Sequence, residues 1–169
     1  ADMGFAQKAY DTGFASTEPK VYAQGAVAIF SIRDVDFKKG IEVVRGLKAI
    51  SIANPQTAPY GKASIEALKN AKLYDEVEKS IVYAQKISET LSQALSASDV
   101  GFIAASALFD EKMSKYKEGV NYILVPQELY TPIDQGIVLL KHAEKNDDAK
   151  AFYEFILGDK SREIFKKFG

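Results

Sequence analysis

The 169-residue chain is 47% hydrophobic and 27% charged, the balance of a globular protein able to bury a core without covalent staples. Its net charge of −1 and dispersed lysines leave no electrostatic footprint for nucleic acid or an anionic membrane. The lack of cysteine excludes disulfides, thiolate metal sites and cysteine nucleophiles, and no apolar run approaches the roughly 20 residues that would insert into a bilayer.

Residues 3–12 place Phe5, Ala6, Ala9 and Tyr10 on one face of a helix that Gly13 would stop. The chain opens on that helix without an initiator Met, which reads as a processed or truncated start, so the missing signal peptide says nothing about export. "VYAQGAVAIFSI" (21–32) is apolar and β-branched and predicts one strand. "DFKKGIEVVRGL" (36–47) predicts a short amphipathic helix despite Gly40, and "KAISIA" (48–53) a strand.

After Asn54-Pro55 and Pro59-Tyr60-Gly61, residues 60–72 form a helix with Ala63, Ala67, Leu68 and Ala71 inward. A short helical piece (74–78), a strand "SIVYA" (80–84), a helix (87–98) and a strand "DVGFIAA" (99–105) follow. Beyond a polar stretch come strands at 120–126 and 134–140 and two helices, 146–157 and 159–168, divided by Gly158. Strands alternating with helices of this length predict an α/β fold with a mostly parallel sheet covered on both faces.

The catalytic inventory is poor. His142, the single histidine, lies just past an apolar strand, where a surface role competes with a catalytic or metal one. No spacing suits a metal, and no Walker loop, G-x-S-x-G or G-x-G-x-x-G occurs, so no catalytic residue, cofactor or metal site is assigned. Asp75-Glu76 and Asp147-Asp148 are adjacent carboxylates at helix starts, where the macrodipole favours negative charge.

The junctions ahead of helices are more informative, because ligands of open α/β sheets bind beyond the carboxyl ends of the strands. Three follow one another, at Ala58-Pro59-Tyr60-Gly61, Gln85-Lys86-Ile87-Ser88 and Ala104-Ala105-Ser106. Backbone N–H groups at a helix start hold an anion without a cationic side chain. Pro59 suits a first helical turn, and Gly61 would allow close backbone approach to a ligand. A stiff turn that binds nothing accounts for the same residues.

At this point the residues resemble a family. "IANPQTAPYGKASIEALKNAKLYDEV" is similar to a segment of the periplasmic molybdate-binding proteins of bacterial ABC transporters, where a strand ends in Asn/Asp-Pro before a Pro-Gly turn and an Ala-rich helix. The likeness continues through "SIVYAQKISETLSQALSASDVGFIAASAL", "LYTPIDQGIVLL" and "AKAFYEFILGDKSREIFKKFG", and the opening "AD" resembles the end of the family's S-A-D motif.

The resemblance implies a type II periplasmic-binding-protein fold, with two α/β lobes and an oxyanion cleft between them. It implies that residues 21–128 are a near-complete, three-layer second lobe, inserted into a first lobe of which 1–20 and 129–169 are the remnant and the hinge crossings. About eighty residues of the family's N-terminus would be lacking, enough to complete a first lobe of ordinary domain size. The implied ligand is molybdate or tungstate, held by the backbone amides of Tyr60 and Ile87 with Ala58, Gly61 and Ser88 as neighbours. Some members add a tyrosine hydroxyl where this chain has Ala104.

The implied role is the extracytoplasmic, periplasmic solute-binding component of an importer, partnered by a membrane permease. Hydroxyl donors of the first lobe would be missing, and losing two at roughly 1.5–3 kcal/mol each weakens binding by about 10²–10⁴. The fragment is therefore expected to bind weakly or not at all and to self-associate through exposed lobe surface. A site made only of donors suits a fully deprotonated dianion. Phosphate would ask for an acid, and neither 58–61 nor 85–88 contains one. A binding protein for another oxyanion such as sulfate, and the ligand-sensing domain of a regulator, remain alternative readings.

Overall fold

In the computed structural model, which describes residues 1–168, the order begins α1 (Met3–Asp11), β1 (Lys20–Gly25), β2 (Val27–Phe30) and β3 (Ile50–Ala53). It continues with α2 (Pro59–Asn70), α3 (Tyr74–Val77), β4 (Ile81–Ala84), α4 (Ile87–Ala94), β5 (Val100–Ala104) and β6 (Tyr122–Leu124). It ends with β7 (Ile133–Ile137), α5 (Asp147–Leu157) and α6 (Asp159–Lys166). The chain divides into two compact units, one formed by 26–132 and the other by 1–25 with 133–169.

Unit 26–132 is built on a five-stranded sheet of order β4-β3-β5-β2-β6. β3 runs parallel to β4 and β5, whereas β2 is antiparallel to both β5 and β6. The sheet is thus mixed, with β2 alone reversed, and this qualifies the mostly parallel expectation. β2 and β3 are buried at every position and β5 at all but its last, which is why they read as unbroken apolar runs. Ile29, Phe30, Ile50, Ile52, Phe102 and Ile103 fill the interior with no exposure.

Helix α2 packs across β2, β3 and β5, and α4 across β3, β4 and β5. Ser51, buried in β3, donates from its hydroxyl to Gln93 Oε1 on α4, so its alternate neighbours Ile50 and Ile52 face the other side of the sheet. The start of β3 is tied down by Asp99, whose Oδ2 accepts from Lys48 N at 2.8 Å and Ala49 N at 3.0 Å.

In the other unit, β1 and β7 form an antiparallel pair running from Lys20↔Ile137 to Gly25↔Ile133, with a bulge between Val21 and Ala23. α1 packs on β7, α6 on β1, and α5 on α6. Asn146 caps α5 by accepting from Ala149 N at 3.0 Å, and Asp147-Asp148 occupy its first turn, the macrodipole role expected of them.

Several local expectations change. The single strand over 21–32 is two strands that belong to different units, because Ala26 breaks the pairing while leaving the apolar pattern intact. The helix over 36–47 is a pair of tight 3₁₀ turns within Phe37–Val44, interrupted at Gly40, whose φ of 59° no helix accommodates. The helix from 87 stops at Ala94 rather than 98. On α1, Ala6 is buried, whereas Phe5 is 70% exposed and Tyr10 39%.

Candidate functional site

β3 and β4 are neighbouring parallel strands ending in register at Ala53↔Ala84, and each feeds a helix. Asn54 N donates to Ala84 O at 2.8 Å, so the exits from the two strands are joined backbone to backbone. Asn54 also builds the turn ahead of α2, since its Oδ1 accepts from Gln56 N at 2.9 Å and its carbonyl from Ala58 N at 2.9 Å. Pro55 and Pro59 therefore sit in a self-sufficient turn that delivers α2 beyond the carboxyl end of β3.

Ala58 is the N-cap of α2, in extended conformation, and provides no side-chain cap. Pro59 takes the first helical position, where its missing N–H costs nothing, and Tyr60 follows in the first turn. At the second junction Lys86 is the N-cap of α4, again without a side-chain cap, and Ile87 and Ser88 begin the helix. Ile87 is half-buried and Ser88 exposed. The starts of α2 and α4 are thereby gathered at one end of the sheet, on adjacent strands.

Gly61 is packed tightly against the sheet. It is buried, and a Cβ there would lie 2.0 Å from Ala53 O and 2.7 Å from Ala53 C. Its missing side chain lets the first turn of α2 press against the end of β3. Gly101 does the same for α4, because a Cβ on it would meet Ala94 Cβ and Thr90 O at 2.8 Å each. Both helices are seated by glycine contacts with the sheet, one from each partner surface.

The third junction carries no comparable helix start. Ala104-Ala105-Ser106 enters a short 3₁₀ segment, Ala105–Phe109, and Ala105 N donates to Ala26 O at 2.8 Å. A more consequential difference lies at the second junction. Residues 85–88 contain no acid, but Glu89 at the third helical position folds its Oε2 back to accept from Gln85 N at 2.8 Å. The signal was present, since an acid at the third helical position is what a capping box uses to reach backward.

His142 is exposed in a short turn, Lys141–Ala143. Tyr74 Oη donates to Glu78 Oε1 at 3.1 Å, and hydrogen bonds with Tyr83 first and Glu78 second push its pKa up to about 12. That cluster lies by the far end of α2, with Lys69 Nζ 4.9 Å from the Tyr74 ring centroid. Among the described residues, no group of His, Asp and Glu could hold a metal ion, and no helix is long and apolar enough to cross a membrane.

A mixed sheet that collects two helix starts at adjacent strand ends is an arrangement of the α/β class. The chain belongs to the bacterial extracellular solute-binding protein family, whose model matches residues 1–169; it is a family of binding proteins, not enzymes. The molybdate-binding protein ModA of Rhodobacter capsulatus is 33% identical over 172 residues, which cover 100% of this chain and 66% of that protein. ModA of Azotobacter vinelandii is 30% identical over 151 residues, 88% of this chain and 59% of that protein. The chain thus spans less than two thirds of these relatives.

The solved periplasmic molybdate-binding protein of A. vinelandii superposes with a TM-score of 0.84 at 30% identity, covering 100% of this chain and 74% of that one. The type II periplasmic-binding-protein fold follows from that match. The sulfate-binding protein SubI of Mycobacterium tuberculosis shares the fold at a TM-score of 0.69 with 12% identity, covering 98% of this chain and 64% of that one.

Proposed function

We propose that this chain is part of the solute-binding component of a molybdate or tungstate ABC importer, working in the periplasm beside a membrane permease. On this reading unit 26–132 is the second, inserted lobe, and the unit of 1–25 with the C-terminal segment from Ile133 is first-lobe material. The oxyanion is held by the backbone amides of Tyr60 and Ile87, with Ala58, Gly61 and Ser88 around them. One observation carries this reading: two helix starts with no side-chain cap stand on adjacent parallel strands joined through Asn54 and Ala84. Helix N-termini supply preorganised N–H donors and a favourable dipole for an anion.

These amides are one part of the donor set, and the hydroxyl donors implied by the family lie outside the 169 residues. Two missing charge-assisted hydrogen bonds lower affinity by about 10²–10⁴, so the chain alone binds weakly. Exposed Phe14 and Phe152, at 70% and 62%, support self-association of the chain as isolated. Titration of the ¹⁵N-labelled chain with molybdate, tungstate and sulfate tests the assignment. Shifts centred on the amides of Tyr60 and Ile87 at millimolar molybdate are expected, with a smaller response to sulfate. Shifts centred elsewhere, or an equal response to sulfate, reject the residue assignment or the ligand class respectively.

A further inference from the structure

The unit of 1–25 with the segment from Ile133 carries a cavity of about 490 Å³, lined by Lys20, Val21 and Tyr22 of β1, Ile156 and Leu157 of α5, and Arg162 of α6. That volume falls within the roughly 300–1,000 Å³ usual for small-molecule sites. Successive residues of a strand point to opposite faces, so a cavity that touches three in a row runs along the edge of β1. The edge is open. β7 pairs with β1 on one side and with the N-terminal residues on the other, through Asp2↔Gln135 and Gly136 N–H to Ala1 O at 2.7 Å. β1 has β7 as its one partner strand among the described residues.

Two features of that edge deter a further strand. Val21 pairs with Gly136 and Ala23 with Gln135, which leaves Tyr22 as the extra residue of the bulge, and Lys20 stands at the strand's start. Bulges and edge lysines are both means of keeping a strand edge unpaired. The Tyr22 ring packs against Phe165 of α6, with 5.5 Å between centroids. Together with Val21, Ile156 and Leu157 it gives the cavity apolar walls.

The polar groups are unequally engaged. Arg162 donates to Asp159 Oδ1 at 2.9 Å and to Leu157 O at 3.2 Å, so its charge is matched within α6. Lys20 makes no side-chain hydrogen bond or ion pair among the described residues, and it leaves the cavity with one spare positive charge. Tyr153, one turn before Ile156 and Leu157 on the same face of α5, keeps its Oη buried without a hydrogen-bond partner.

We propose that this cavity is a second binding site, for a small amphipathic monoanion: a carboxylate with an aliphatic body. The carboxylate lies beside the Lys20 ammonium, and the body covers Val21, Ile156 and Leu157. The site uses none of the residues of the proposed oxyanion site. Each methylene taken out of water raises affinity about fourfold, whereas an exposed ion pair adds about threefold. The aliphatic body therefore sets the affinity and Lys20 the sign of the headgroup.

Hexanoate, octanoate, 1-octanol and octylammonium test this by titration of the ¹⁵N-labelled chain. Shifts centred on the amides of Tyr22, Ile156 and Leu157 are expected, with octanoate bound up to about sixteenfold more tightly than hexanoate. Octanoate should exceed octanol by about threefold and octylammonium by more. Lys20→Gln should level octanoate with octanol, and Lys20→Glu should reverse the preference towards octylammonium; both changes lie on an exposed side chain. Shifts centred away from these amides, or equal binding of octanoate and octylammonium in the parent chain, overturn the proposal. Concentration-dependent shifts along Lys20–Gly25 without any carboxylate would show the edge pairing with a second strand, and that also overturns it.

Discussion

Gly61→Ala is the substitution for which the structure makes the sharpest demand. The added Cβ would sit 2.0 Å from Ala53 O, 2.7 Å from Ala53 C and 3.1 Å from Asn54 C. These are backbone atoms at the end of β3, held by the Asn54 N–H to Ala84 O bond, so no side chain can swing aside. An ordinary C···O contact is about 3.3 Å, and the first turn of α2 must therefore lift by roughly 1 Å. Overpacking typically costs about 1–3 kcal/mol, and a backbone clash belongs at the upper end. Alanine's better helix propensity returns about 1 kcal/mol, leaving a net loss of about 2 kcal/mol.

For a chain of this size that loss lowers the Tm by about 4–8 °C, and it shifts the urea midpoint without changing the slope. Gly46→Ala is the comparison, because Gly46 has a φ of 74° but nothing within 4 Å of its would-be Cβ. Only the left-handed backbone is strained there, at about 1 kcal/mol. Paired urea unfolding curves decide the matter. If G61A is as stable as the parent, or less damaged than G46A, close packing of α2 on β3 is not what glycine provides.

Three more predictions concern the supports of this unit. Asp99→Ala removes the acceptor shared by the Lys48 and Ala49 amides and should cost about 2 kcal/mol in urea unfolding. Tyr130→Phe leaves the buried Val27 N–H without the phenol oxygen it meets at 3.1 Å; a loss of about 1–2 kcal/mol and faster hydrogen exchange at Val27 are expected. Tyr74, raised from 10.0 to about 12 by its hydrogen bonds with Tyr83 and then Glu78, favours the fold while neutral. That contribution is complete below pH 10 and is lost as pH rises through about 12, so Tyr74→Phe should remove a phenolate absorbance step centred at about 12.

Where burial is total on both faces, the pattern in the chain was sufficient. β3 and β5 stand out as apolar runs, and the α2 start follows from Pro59 ahead of an amphipathic period. Where a boundary is set by pairing partners, it was hidden. Nothing in "AQGAVA" announces that Gly25 pairs with Ile133 while Val27 pairs with Ala104, since both neighbours want the same residue types. The reversal of β2 is likewise a property of connections and not of composition. At the junctions, local spacing placed Tyr60 and Ile87 at helix starts, but long-range contact decided what Gly61 does, and a side-chain rotation decided where Glu89 puts its charge.

The Tyr130–Val27 hydrogen bond has a consequence for how the chain folds. Pairing Gly25 with Ile133 in an unstructured chain would close a loop of roughly a hundred residues, an entropic cost of about 4 kcal/mol. Once 26–132 has folded, its two ends are already pinned side by side, and β1 and β7 meet as the arms of a hairpin whose turn is an entire folded unit. The ladder between β1 and β7 should accordingly form late, after the continuous unit has assembled and brought its ends together.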